Sequence, residues 1–383
     1  MKQIRKLCIL LLAASVLCLC ACDKLAAIEL PPLPTPTASQ PQESVTPAPE
    51  PTAAAPVQRS EGRVIAAIKR NSKTAYDPQN GTQLILSFSY DTPTVLIEGR
   101  ETASAAINDY VAKLDEAYYT GDSYGDGTGV GYMNMLTMAE DNYYYAANSA
   151  SPVGGTELSA SRSAAFPRLD SRVISVTYDE YCFTGAESVQ RTLGYSFDAE
   201  TGMLLTPDML GDGGALTAML EDRLNGVEPS AGDWYLGAEG LMAGYTLVAP
   251  YDALEAVVKP EYLPKPVTAS GGFRLTDTPD TEIVDMVQIE GGDSVVYLAA
   301  EGTVSDVRLS SVGYIDSFFE TARLWQCSEM TDCALQLSIP IPHGMPELCL
   351  SWRDGTGTHS AYVTQDGATG GFALADEGVE AVG

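Results

Sequence analysis

The sequence predicts an α+β region, an antiparallel sheet with two helices, followed by an all-β sandwich of immunoglobulin-like size. Three observations carry that prediction. Before about residue 265, period-2 apolar runs alternate with two amphipathic helical stripes, without repeated βαβ units. After about residue 280, short alternating strands recur with turn chemistry between them. Between the two lie Pro264, Pro266 and the pairs Gly271-Gly272 and Gly291-Gly292.

The chain has 383 residues. Residues 1–60 are read as an address and a tether. Lys2, Arg5 and Lys6 precede an apolar run from Leu7 to Leu19, too short for a span of about 20 residues. It ends in Leu19-Cys20-Ala21-Cys22, the order of a bacterial lipobox. Cys22 is therefore expected to be lipidated after removal of residues 1–21. Acyl chains would then hold the protein outside the membrane. Residues 22–60 carry Pro31, Pro32, Pro34, Pro36, Pro41, Pro47, Pro49, Pro51 and Pro56 without apolar periodicity. Such chain favours polyproline II and acts as a semi-rigid stalk.

Within 61–265, Leu84, Leu86, Phe88 and Tyr90 alternate with polar positions and predict a strand. A second strand is expected over Thr94 to Glu98. Ile107, Val111, Leu114 and Tyr118 form one helical stripe. Thr102 or Ser104 is the expected N-cap, and Gly121 the stop. The tyrosines at 143–145 are read as alternating, with Tyr144 opposed to Tyr143 and Tyr145. Ile174, Val176 and Tyr178 share one face of a strand, and Leu193 to Phe197 forms another. Asp198-Ala199-Glu200-Thr201-Gly202 is a turn, with Gly202 suited to positive φ. Leu216, Met219, Leu220 and Leu224 mark a second helix, closed by Asn225-Gly226.

Within 266–383, strands are expected at Ile283–Ile289, Val295–Ala299, Val304–Leu309, Leu335–Ile339, Leu348–Trp352 and Ala361–Thr364. Ile315 to Trp325 is ambiguous between helix and strand. Asp354-Gly355 supplies hairpin chemistry.

The run Val173-Ile174-Ser175-Val176-Thr177-Tyr178-Asp179-Glu180-Tyr181, with Phe183-Thr184-Gly185-Ala186, Tyr195-Ser196-Phe197-Asp198, Thr201-Gly202 and Leu205-Thr206-Pro207-Asp208-Met209-Leu210, has a recognisable order and spacing. So do Trp234-Tyr235-Leu236, Glu239-Gly240-Leu241 and Val248-Ala249-Pro250-Tyr251. Together they resemble the extracytoplasmic domain of RsiV-type anti-sigma factors, shared with the peptidoglycan deacetylase PdaC, over roughly residues 70–265. The resemblance implies an α+β fold, export and no catalytic residues in this domain. In RsiV itself it implies lysozyme as a sensed ligand. The chain departs from RsiV in showing no cytoplasmic domain or spanning helix, and from PdaC in showing no deacetylase domain. Glu187 stands where the family places a histidine, so no role for that histidine carries over.

Charge and chemistry narrow the function. With 22 Lys+Arg against 51 Asp+Glu the net charge is −29, which excludes phosphate-backbone binding and electrostatic attachment to anionic lipid. Losing residues 1–21 removes three cations and no acid. His343 and His359 are the only histidines, so multi-histidine metal sites are excluded. Both are expected to be structural. Among the cysteines beyond Cys22, Cys327 and Cys333 are close enough in sequence to pair, but buried thiols are the preferred reading. The only stretch rich in hard-cation oxygens runs from Gly121 to Gly129, through Asp122 and Asp126. Tyr124 and Met133 occupy the third and twelfth positions an EF-hand would need as ligands. No metal and no cofactor is therefore expected. Tyr132, Tyr143 and Tyr145 are candidate ligand contacts, because aromatic faces with polar tips suit proteins and glycans. The expectation is a monomeric, non-enzymatic binding or sensing protein of the cell envelope. Its ligand would be a basic protein such as lysozyme, steered by charge, or a cell-wall glycan. The alternatives are an envelope hydrolase using carboxylates and a purely structural envelope component.

Overall fold

The computed structural model describes residues 62–79, 81–121, 130–148, 157–314, 318–340, 346–365 and 371–380. Cys22 with its signal and linker, Asp122, Asp126 and His343 lie outside them. Pro56–Gly383 forms one compact unit. Among the described residues the fold is mostly β, 54% strand, with five helices.

The first strand, β1 (Val64–Tyr76), pairs antiparallel with β2 (Leu84–Ile97). The two strands expected at 84–90 and 94–98 are thus one. Helices α1 (Glu101–Thr120) and α2 (Tyr132–Asn148) follow. β3 (Leu158–Leu169) lies parallel to β2. It opens an antiparallel meander with β4 (Val173–Phe183) and β5 (Ser188–Asp198). The α1 stripe buries Ile107 and Val111 against Ile97, Phe166, Ile174 and Val176 of the sheet, and Tyr118 in a second cluster with Leu86 and Phe88. Its N-cap is Arg100, without a side-chain cap bond, rather than Thr102 or Ser104. Ser104 Oγ instead accepts the Ile97 amide at 2.7 Å, tying the helix to β2.

The tyrosines at 143–145 lie on α2, not on an alternating segment. Helical spacing, 100° per residue, replaces the two-residue period. Tyr143 turns inward, while Tyr144 and Tyr145 both face outward.

A small cluster packs on the opposite face of β4. It comprises α3 (Pro207–Leu210), α4 (Gly213–Arg223), β6 (Tyr235–Leu236), β7 (Gly240–Ala243), β8 (Thr246–Pro250), α5 (Tyr251–Leu254) and a 3₁₀ turn at Pro260–Tyr262. Its core takes Leu216 and Leu220 from the predicted stripe, together with Val173. Hence β4 is buried on both faces, with Val173 on one and Ile174 on the other.

The remaining strands are β9 (Gly271–Thr276), β10 (Glu282–Gln288), β11 (Ser294–Tyr314), β12 (Phe318–Thr331), β13 (Cys333–Ile339), β14 (Leu348–Asp354), β15 (Gly357–Gln365) and β16 (Phe372–Glu380). The ambiguous stretch before Trp325 is strand from Phe318 onward. β11 is one strand of 21 residues where two short ones are expected. Its first half pairs with β9 and β13, its second with β12 and β14. Gly302 (φ 78°) ends the first half and Asp306 (φ 48°) interrupts the start of the second, where the backbone leaves extended geometry.

The expected sequence of an α+β region and then a sandwich is met only in the coarser form of a β-rich fold with one large mixed sheet. Thirteen strands belong to it, with the path β16-β15-β14-β11-β12-β1-β2-β3-β4-β5. The join is β1 against β12, Ile65 opposite Cys327. Ile65 points into the C-terminal core with Trp325, Leu335 and Leu350. Its neighbours Val64 and Ala66 point into the core under α1. One strand's alternation therefore serves two cores.

Candidate functional site

The predicted tyrosines fall at the outer end of the β1–β2 hairpin, where α1 ends and α2 begins. Tyr118 is buried and stacks on Phe88, with ring centroids 5.5 Å apart. Tyr119 stacks on Tyr132 at 5.8 Å and 9°. The Lys73 ammonium sits 4.6 Å and 4.8 Å from these two ring centres and donates to the Tyr119 hydroxyl. That bond holds the ammonium above its usual pKa. Tyr132 is half-buried and Tyr143 donates to Asp77 Oδ1 at 3.3 Å. Both therefore serve mainly as packing. Of the three candidate contacts only Tyr145 stands free, 79% exposed.

Helical geometry collects a different set around Tyr145. Met133 and Tyr144, eleven residues apart, and Met138 and Tyr145, seven apart, return to nearly the same angle. They border the exposed face of α2, and all four are exposed. Asn134, Thr137 and Asp141 lie between them, all exposed. Glu140 and Asp141 are the charged residues of this helix, which has no Lys or Arg. Sequence inspection missed the two methionines because they become partners of the tyrosines only at helical spacing.

Beneath this end lies a buried ionic cluster. The Arg162 guanidinium is sandwiched between the rings of Tyr118 and Tyr178, 4.6 Å and 4.3 Å from their centres. It donates to Leu114 O at 3.0 Å and to Asp115. Cross-strand register sets Glu180 between Arg162 and Arg191, whose Nε donates to it at 2.9 Å. Burial pushes the Glu180 carboxyl up while Arg162 draws it down. These groups brace α1 against the sheet.

His359 is equally committed to structure. It stacks on Trp352 at 5.2 Å and bonds to Asp354 Oδ1 at 2.9 Å. That oxygen also accepts from Thr356 N and Gly357 N in the β14–β15 turn. Burial raises the Asp354 carboxyl, but the bonds from Thr356 and His359 outweigh it and hold it well below its usual value. Among the described residues no cluster of three or more His, Cys, Asp or Glu could hold a metal. Cys182, Cys327 and Cys333 are buried thiols, with no disulfide.

A cleft of about 440 Å³ lies where the β3–β4 turn, the 261–269 segment and strands β11, β12 and β14 meet. Arg168 lines it from the β3 end of that turn. Its Nε donates to Asp170 at 2.7 Å, and its Nη1 to Tyr251 Oη and Tyr262 O, both at 2.7 Å. Nearby, Arg172 lies over the Tyr262 ring and pairs with Asp198 at 3.4 Å and with Glu200.

No family model and no curated protein matches the chain. Solved structures that resemble it include two DUF3298 proteins. One is a member of the DUF3298 family from Bacteroides fragilis NCTC 9343, 14% identical over 51% of this chain and 94% of that one, with a TM-score of 0.39. The other is a DUF3298 family protein from Pseudomonas aeruginosa PAO1, 15% identical over 52% and 96%, with a TM-score of 0.32. No helix among the described residues is long and apolar enough to cross a membrane.

Proposed function

We propose that the chain is a lipid-anchored, extracytoplasmic, non-enzymatic binding or sensing protein whose partner is a basic protein such as lysozyme. The reading includes an RsiV-like α+β part over 61–265, a sandwich-like part after it, and tethering through Cys22 and the proline-rich stalk. The observation that carries it is the exposed face of α2. Met133, Met138, Tyr144 and Tyr145 offer apolar and aromatic area, with Asp141 between them and no cation on the helix. Tyrosine and methionine are enriched at protein interfaces. Exposed acids around such a patch favour a cationic partner and speed its approach.

Titration of hen lysozyme against the protein tests this. Tyr144→Ser with Tyr145→Ser should weaken binding roughly tenfold or more, the scale of an interface hot spot. The thermal midpoint should stay within a degree or two, since both rings are already exposed. Binding should also weaken as salt rises. Affinity indifferent to the double substitution would remove α2 as the contact. No binding at low salt would remove lysozyme as the partner.

A further inference from the structure

The path of the large sheet ends at β5, and the chain itself covers only half of that strand's outer edge. Gly194 N donates to Gly232 O at 2.8 Å, Leu205 N to Ser196 O at 2.7 Å, and Asp198 N to Met203 O at 2.9 Å. Even-numbered residues of β5 therefore turn their N–H and C=O away from β4, because both groups of a residue share one side in an antiparallel ladder. By the same alternation Ser188, Gln190 and Thr192 face outward. Their backbone groups have no backbone partner among the described residues.

An edge of this kind is a template for another strand, and sheets blunt it with proline, bulges or charge. β5 has no proline, and its register with β4 runs without a shift from Val173–Asp198 to Phe183–Ser188. Its cation, Arg191, is committed to Glu180, to which its Nε donates at 2.9 Å. By contrast β16, at the other end of the path, holds Asp376, Glu377 and Glu380 and pairs with β15 through a register shift.

The surroundings select the occupant. Asp179 opposite Thr192, Glu187 beside Ser188, and Asp233 opposite Gly194 border the free half, while Arg191 is already paired. A cationic strand meets complementary charge there. A second copy would bring a further net charge of −29 to the contact. The proline-rich stretch at 31–56 lacks the regular donors a ladder needs. Val189, 59% exposed, offers apolar contact to alternate side chains of an added strand.

We propose that the Ser188–Leu193 edge of β5 binds an extended cationic peptide segment by strand addition. Backbone bonds to Gln190 and Thr192 hold it, and the bordering acids select its charge. The edge is separate from the α2 face, so either can fail without the other.

The probe is a blocked peptide of alternating lysine and valine, about six residues long to match the edge. Isothermal titration of the full chain at low salt should show saturable binding. The same peptide N-methylated throughout, and its glutamate counterpart, should each bind at least roughly tenfold more weakly, for want of donors and of matching charge. Gln190→Pro deletes an outward N–H while sparing the ladder to β4, as edge prolines do. It should weaken the lysine peptide roughly tenfold, whereas Gln190→Ala, which keeps the backbone, should bind within about twofold of wild type. The peptide comparisons use the unaltered protein and decide the matter even where the proline variant folds poorly. Equal binding of either control peptide, full affinity in Gln190→Pro, or equal losses in the proline and alanine variants would overturn the proposal. So would a dimer of the peptide-free protein that Gln190→Pro abolishes, since the edge would then belong to a second copy.

Discussion

Asp198 is the point at which local turn chemistry and tertiary packing share one carboxylate. It ends β5 and is 3% exposed. Oδ1 accepts from Glu200 N at 2.8 Å and Thr201 N at 2.9 Å, closing the predicted turn. Oδ2 accepts from the Tyr262 hydroxyl at 3.0 Å, sixty-four residues away, and pairs with Arg172 at 3.4 Å. Asp198→Ala strands these donors unequally. The two amides lie beside exposed Glu200 and Thr201 and can turn to water. The Tyr262 hydroxyl is buried and cannot, at a cost of about 1–3 kcal/mol. With the lost charge-assisted bonds the total should be about 3 kcal/mol at pH 7. Asp198→Asn keeps an acceptor for the turn and should lose about half of that, with the same warrant. Burial raises the Asp198 carboxyl, but the bonds from Thr201, Tyr262 and Glu200, with Arg172, outweigh it and leave the pKa below 3.8. A depressed carboxyl stabilises the fold above its unfolded value and stops doing so as pH falls through the folded one. Urea unfolding at pH 7, 5 and 3 should therefore show a constant gap between wild type and Asp198→Ala down to pH 5, then a narrower one at pH 3. A loss under 1 kcal/mol at pH 7, or an equal gap at pH 3, would refute the reasoning.

Three further outcomes are expected. Gly202 has φ +74°, and a Cβ there would lie 2.6 Å from Ala103 O. Gly202→Ala should thus cost about 2–4 kcal/mol in urea unfolding, from left-handed strain plus overpacking; a loss below 1 kcal/mol would contradict it. Burial pushes the Cys327 thiol up to about 12 and raises Cys182 and Cys333 too. At pH 8, iodoacetamide followed by peptide mass spectrometry should modify these three only after unfolding, and rapid native labelling of Cys327 would count against the burial described. Cys22→Ala should release the protein from the membrane fraction, whereas unchanged partitioning would remove the lipid anchor.

Elements with a short-range signal were legible. The α1 stripe, the α4 stripe, the turn at 198–202 and the alternating strands at 335–339 and 348–352 all depend on residues within a few positions of each other. The failures share a cause. The outer half of β1, Lys69 to Tyr76, is polar and mostly exposed, with no apolar alternation to betray it. It is a strand because β2 lies beside it. The tyrosines at 143–145 fit either period, and only the packing of Met135 and Ala139 against Phe88 makes them helical. The candidate site divides the same way. Tyr145 is legible as an aromatic with a polar tip, whereas its partners depend on helix phase and the cleft on segments far apart in the chain.

By itself, then, the sequence determined the acidity, the scarcity of histidine, the strand-rich character and the local turns, because composition and short-range periodicity are complete without a partner. The tertiary structure alone decided that β1 meets β12, that Ile65 and Val64 serve different cores, and that Arg168 faces a shared cleft. Those outcomes depend on contacts between residues far apart in the chain, whose closure is stabilised by burial that no local window contains.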